Sequence, residues 1–163
     1  MREININLFR FLELSEEAQK NALIWARDNI GDIYCWNAES LQSIRAFCKK
    51  YGVTMERYNI GPHEGYDYAT NASNDNFRGV RLKHIQRDEW LTGHYIDNDL
   101  TYAFHDAFKS TGNALGAFNA ALDAGFKTWQ EHWEDSYSDE SLGDFLDANE
   151  YEFTQYGSKW DGE

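Results

Sequence analysis

A long apolar period in the second half of the chain is the strongest constraint on its fold. The residues that recur at helical spacing, with Phe126 close to the same face, are Leu115, Phe118, Leu122, Trp129 and Trp133. Such spacing places large side chains along one side of an α-helix. The sequence therefore predicts a long helix over about 112–135. Gly116 and Gly125 weaken this helix, because each costs up to about 1 kcal/mol relative to alanine.

Caps and turn residues predict the other elements. The predicted helices are 16–30 between Ser15 and Gly31, 38–51 between Asn37 and Gly52, and 139–148 after Ser138. The predicted strands are 4–8, 53–60, 66–72, 77–85 and 151–155. Short turns join three of these strands, which indicates an antiparallel meander. Asp97–Asn98–Asp99 is expected to form a turn, and 100–108 fits either a helix or a strand.

These elements indicate an α+β fold, an antiparallel sheet with helices packed on one face. The 163 residues suit a single domain over 1–163. There is no apolar run long enough for a transmembrane helix and no signal peptide, so we expect a cytoplasmic protein. Cys35 and Cys48 are expected to be free thiols, with Cys48 in the core.

The charge of the chain is strongly negative and unevenly distributed. The formal net charge is −13, and residues 131–163 hold 11 acidic and 1 basic side chain. A nucleic-acid-binding protein normally carries a basic patch, so direct binding of nucleic acid or of an anionic membrane is not expected. Aromatic residues interleave with these acids, which indicates a folded acidic surface rather than a tail. The alternative is an ordinary solvated face that serves solubility.

The acidic surface is the candidate partner-binding site, and its expected partner is a basic protein surface. The candidate residues are Glu131, Glu134, Asp135, Asp139, Glu140, Asp144, Asp147 and Glu150.

Residues able to carry chemistry are present, but no catalytic motif is. The densest group of possible metal ligands or acid–base residues is His94, Asp97, Asp99, His105 and Asp106. Their order matches no recognised ligand spacing, and His63 lies in a turn. There is no nucleophile elbow and no phosphate-binding glycine loop. We therefore expect no enzyme, no metal and no cofactor, with a small metal- or histidine-dependent enzyme as an alternative.

Two terminal stretches carry a resemblance to a known group of proteins. The first is LSEEAQKNA at 14–22, and the second is ANEYEFT at 148–154 followed by Gly157. Together they resemble small phage and prophage proteins, some of which are labelled antitoxins of toxin–antitoxin systems. The resemblance implies a phage protein that disables a host machine. The hypothesis is an inhibitor of a host nucleic-acid-handling defence complex, such as a CRISPR effector or a restriction complex. The alternative partner is a basic toxin, which an antitoxin would neutralise.

Overall fold

The computed structural model describes residues 5–30 and 36–162. The helices within these residues are α1 (Glu16–Ile30), α2 (Asn37–Lys50), α3 (Asp97–Thr111), α4 (Ala114–Ser136) and α5 (Asp139–Ala148). The strands are β1 (Phe9–Arg10), β2 (Met55–Gly61), β3 (Gly65–Thr70) and β4 (Glu152–Phe153). The α+β class is confirmed. None of these helices is long and apolar enough to cross a membrane.

The chain divides into two compact units. The terminal unit comprises the described residues 5–30 and 134–162, and the central unit comprises 36–133. Each unit has its own hydrophobic core and its own two-stranded antiparallel sheet. A single domain over 1–163 stays a prediction.

The terminal unit brings the two ends of the chain together. β1 pairs antiparallel with β4, with Phe9 opposite Phe153. Ser15 accepts a hydrogen bond from the backbone N–H of Ala18 at 3.3 Å, so the predicted cap of α1 is confirmed. Ser138 likewise caps α5 by accepting from the N–H of Ser141. The buried residues of α1 and α5 share one core with Phe153.

The central unit is built around an aromatic core. The rings of Phe47 on α2 and Phe118 on α4 stack at 5.2 Å. The β2–β3 hairpin packs on α4 through Tyr68, whose ring lies 4.9 Å from that of Phe126. Cys48 is buried, as predicted, and burial raises the pKa of its thiol to about 11. Cys35 lies outside the described residues.

Four sequence predictions require correction. Residues 77–85 form no third strand, because Phe77 turns into the aromatic core and Gly79 bends the chain at φ +76°. Asp97–Asn98–Asp99 is the first turn of α3 rather than a loop turn. Trp36, not Asn37, is the N-cap residue of α2; the Asn37 side chain instead accepts a hydrogen bond from Trp129 Nε1 at 2.7 Å. In the predicted strand 4–8, residue 4 lies outside the described residues and 5–8 form no strand; the first pairing in the described part of the chain begins at Phe9.

Gly125 has a packing role that helix propensity alone does not show. A Cβ at this position would lie 2.6 Å from Leu100 Cδ2, so α3 and α4 approach each other closely here. We expect Gly125→Ala to lower the free energy of unfolding by about 1–3 kcal/mol through overpacking. Helix propensity by itself predicts the opposite, an increase in the free energy of unfolding of up to about 1 kcal/mol, because alanine favours a helix more than glycine does. Urea unfolding of the variant distinguishes the two signs.

The control for this prediction is the same substitution in a Leu100→Ala background. Leu100→Ala removes the Cγ and Cδ atoms that the new methyl group would meet. The penalty of Gly125→Ala should therefore shrink in that background. An unchanged penalty would contradict the proposed contact.

Candidate functional site

The negative charge of the chain is concentrated in one of the two units. Met1–Cys35 with Glu134–Glu163 carries 16 acidic and 5 basic side chains, a net charge of −11. Trp36–Trp133 carries 12 acidic and 10 basic side chains, a net charge of −2. The fold therefore assigns most of the charge to the terminal unit. The order of residues along the chain, by contrast, places most of the excess of acidic side chains in the last fifth, residues 131–163.

Three of the eight candidate carboxylates form a stripe on α5. Glu140, Asp144 and Asp147 are spaced by four and three residues, so they lie on one face of the helix. A different face of α5 buries Leu142 and Leu146 in the core of the terminal unit. Among the described residues, no basic side chain forms an ion pair with these three carboxylates. The name α5 stripe is used below for Glu140, Asp144 and Asp147.

The other candidate carboxylates have local partners or lie elsewhere. Asp139 pairs with Arg27, and Glu150 pairs with Arg10 at 3.0 Å. Asp135 accepts a hydrogen bond from the Ser141 hydroxyl at 3.4 Å, and Glu134 is half-buried. Glu131 belongs to the central unit, where it lies 3.8 Å from Lys127. Within the described residues of the terminal unit, the α5 stripe is thus a continuous helical face of the predicted surface without an ion-pair partner.

The histidine and aspartate group does not assemble into one site. His94 precedes α3, and His105 lies in the middle of that helix. Asp106 accepts two hydrogen bonds from the Arg87 guanidinium at 2.9 Å and lies 3.0 Å from His105 Nδ1. The Arg87 hydrogen bonds hold the pKa of the Asp106 carboxyl well below its usual range. In the part of the chain that the structure describes, no three His, Cys, Asp or Glu residues are placed to hold a metal ion.

Asp97 organises the loop that precedes α3. Its Oδ2 accepts hydrogen bonds from the backbone N–H groups of Leu91, Thr92 and Gly93 at 3.0, 2.8 and 2.8 Å. Burial raises the pKa of the Asp97 carboxyl, but these hydrogen bonds oppose burial and leave the pKa below its ordinary value. The carboxylate is therefore charged at neutral pH, and its hydrogen bonds stabilise the loop.

A serine–histidine pair that sequence reasoning missed lies beside this loop. Ser40 Oγ on α2 is 3.0 Å from His94 Nε2. The two residues are 54 positions apart, and no motif marks either of them. Ser40 is fully buried, so its hydroxyl is closed to a substrate. Burial also lowers the pKa of His94. The pair ties the loop to α2 and has no accessible nucleophile.

Comparison with known proteins gives no information about the site. No protein-family model, no curated protein and no solved structure matches this chain.

Proposed function

We propose that the chain is a non-enzymatic, phage-encoded acidic protein that binds a basic surface of a host nucleic-acid-handling defence complex and inhibits it. The observation that supports this proposal is the α5 stripe, in which Glu140 and Asp144 are exposed and Asp147 is half-buried. It lies on a unit of net charge −11 and has no basic partner among the described residues. The target class is a CRISPR effector or a restriction complex. The resemblance of the chain ends to phage and prophage proteins supports the choice of a host target.

Electrostatics favours such a target. Proteins that bind nucleic acid neutralise phosphates with lysine and arginine, so they carry exposed basic channels. A folded set of carboxylates is complementary to such a channel and speeds the encounter with it. The same attraction weakens as salt screens the charges. Binding at the channel would exclude the nucleic acid and so inhibit the complex.

Glu140 lies in the first turn of α5, where the helix dipole favours negative charge, but the other two members of the α5 stripe are placed poorly for helix stability, which supports a role in binding. Like charges four residues apart destabilise a helix by about 0.2–0.5 kcal/mol. Asp147 also lies in the last turn of α5, where the helix dipole disfavours negative charge. The described last turn contains no basic residue that would offset it. A surface that costs stability is a candidate for a surface kept for function.

Charge reversal of the α5 stripe tests the proposal. We expect E140K/D144K/D147K to lose inhibition by about tenfold or more, because the interaction is mainly electrostatic. The variant should melt close to the native chain, because D147K places a favourable cation in the last turn of α5 and E140K places an unfavourable one in the first turn. Two readouts apply: DNA binding by a purified CRISPR effector or restriction complex, and plaquing of a phage that the system targets.

The matched control is E56K/E64K/D88K, which makes the same charge change at exposed positions of the central unit. It should retain inhibition within about threefold. An equal loss of inhibition in both variants would mean that only the net charge of the chain matters. That result would contradict a specific binding surface on α5. Failure of the native chain to protect phage against any such system would overturn the proposal. Relief of toxicity of a small basic protein in its place would favour the antitoxin alternative.

A further inference from the structure

Two histidines that the proposed function does not use meet in one cluster of the central unit. The cluster consists of Ser40 on α2, His94 and Tyr95 in the loop before α3, and His132 on α4. The Tyr95 ring contacts both imidazoles, with its centroid 4.2 Å from that of His94 and 4.8 Å from that of His132. Ser40 Oγ lies 3.0 Å from His94 Nε2 and 3.5 Å from the Tyr95 hydroxyl. The name histidine cluster is used below for these four residues.

The position of His94 in the histidine cluster opposes a positive charge. His94 is half-buried, and the Ser40 hydroxyl that it contacts belongs to a fully buried residue. Burial has the largest effect on the pKa of His94 and lowers it, and the imidazole of His132 on α4 lowers it further. The carboxylates of Glu39 on α2 and Asp97 at the start of α3 raise this pKa, but the balance leaves it below the ordinary value of 6.5. A protonated His94 is therefore less stable in the cluster than in water.

His132 contributes an atom that has no group to pair with. Its Nε2 is shielded from solvent and has no hydrogen-bond partner in the described part of the chain. An N–H placed on this atom would find no acceptor there, and burying an unpaired polar group costs free energy. The closed cluster therefore has no acceptor for a proton at this nitrogen.

The backbone on either side of His94 and Tyr95 is held by contacts outside the histidine cluster. Asp97 accepts a hydrogen bond from the N–H of Gly93 on one side, and Ile96 is fully buried on the other. Glycine adopts a wide range of φ values, so the chain can turn at Gly93, which has φ +85°. His94 and Tyr95 can therefore leave α2 and α4 while the residues on both sides stay in place.

We propose that His94 and Tyr95 form a pH-sensitive contact, which is closed on α2 and α4 at neutral pH and opens as the pH falls to about 5–6. In the open arrangement the His94 imidazole reaches water and takes up a proton without the cost of burial. Since the pKa of His94 is lowered in the closed arrangement, the closed contact is fully stable above about 6.5 and weakens as the pH falls below it. Asp97 does not set this range, because its lowered pKa keeps it ionised until the pH falls below about 4.

Opening of this contact goes beyond the proposed function and is independent of it. The histidine cluster lies in the central unit, whereas the α5 stripe lies in the terminal unit. Failure of either proposal therefore leaves the other intact.

Proton NMR of the full chain at about pH 7.5 and about pH 5.5 tests the proposal. We expect nuclear Overhauser effects between the Tyr95 ring and both imidazoles at the higher pH, weakened by about threefold or more at the lower pH. The matched control is the contact of Tyr68 with Phe126, a ring pair 4.9 Å apart in the same unit, whose intensity should stay constant. Constant intensities for Tyr95 would overturn the proposal. An equal loss in both ring pairs would mean acid unfolding of the unit and would overturn it as well.

Two glutamine substitutions assign the response to the histidine cluster. His94→Gln removes the titrating imidazole and retains an amide that can hydrogen-bond to Ser40, so the effect between Tyr95 and His132 should lose less than about half its intensity in acid. His105→Gln is the control, because His105 lies on α3 beside Asp106, and it should respond as the native chain does. A full acid response in His94→Gln would contradict the role of His94. The comparison of the two pH values in the native chain decides the outcome if His94→Gln fails to fold.

Discussion

Gly157→Ala should lower the free energy of unfolding by about 3 kcal/mol or more. A Cβ at this position would lie 2.0 Å from the carbonyl oxygen of Ala18 and 3.1 Å from its Cα. These are backbone atoms of α1, so no side-chain rotation can relieve the clash. Gly157 also has φ +80°, a conformation that costs an L-residue roughly 1–2 kcal/mol. The turn after β4 would have to move away from α1.

Chemical unfolding followed by tryptophan fluorescence and circular dichroism would measure this loss. Gly79→Ala is the matched control, because Gly79 has φ +76° and nothing within 4 Å of the added Cβ. Its free energy of unfolding should fall only by the cost of placing an L-residue at positive φ, about 1–2 kcal/mol. Equal losses in the two variants would mean that the approach of Gly157 to α1 contributes nothing. The Asn21 side chain donates to the Tyr156 carbonyl at 3.0 Å, so the same turn has a second tie to α1.

Asp97→Asn should lower the free energy of unfolding by about 2–4 kcal/mol. The substitution removes the negative charge that three backbone N–H groups share in a buried position. Hydrogen bonds to a charged acceptor are stronger than those to a neutral one. Thermal and urea unfolding would measure the loss, and hydrogen exchange at Leu91–Gly93 would locate it in the loop.

Asp99→Asn is the control, because both residues lie in the first turn of α3 and share its helix dipole. Burial raises the pKa of the Asp99 carboxyl, so its charged form is disfavoured in the folded chain. Neutralising Asp99 should therefore leave stability nearly unchanged or raise it at neutral pH. A loss in Asp99→Asn as large as that in Asp97→Asn would contradict a specific role for Asp97.

The pH dependence of these variants follows from the directions of the two pKa shifts. The pKa of Asp97 is lowered in the folded chain, so its stabilising contribution is complete above the ordinary value of 3.8. The advantage of the native chain over Asp97→Asn should thus hold near neutral pH and shrink as the pH falls below about 4. For Asp99 the raised pKa reverses the sign, so the gain of Asp99→Asn should fade as the pH falls. An advantage over Asp97→Asn that grows in acid would contradict this assignment.

Part of the candidate site could be predicted from the sequence. The helix over 139–148 is confirmed, and its register alone places Glu140, Asp144 and Asp147 on one face. The pairing of Asp139 with Arg27 and of Glu150 with Arg10 could not be predicted, because each pair joins residues more than 100 positions apart.

Local chemistry determined the elements that the sequence predicts best. The Ser15 and Ser138 side chains cap α1 and α5, and the apolar period predicts α4 over nearly its full length. Each of these signals acts within a few residues, through capping hydrogen bonds or through the helical repeat. The amino-acid sequence by itself therefore specified these helices, the β2–β3 hairpin and the negative charge.

Tertiary packing decided the remainder. Residues 77–85 have strand-like composition, but burial of Phe77 among the rings of Tyr51, Phe104 and Phe118 takes them out of a sheet. Asp97 has the composition of a turn residue, yet its carboxylate holds three N–H groups at the start of α3. Gly157 is a turn glycine in the sequence and a contact with α1 in the fold. In each case a contact distant in sequence outweighs a local preference, because burying a large ring or pairing a buried charge has the larger free energy.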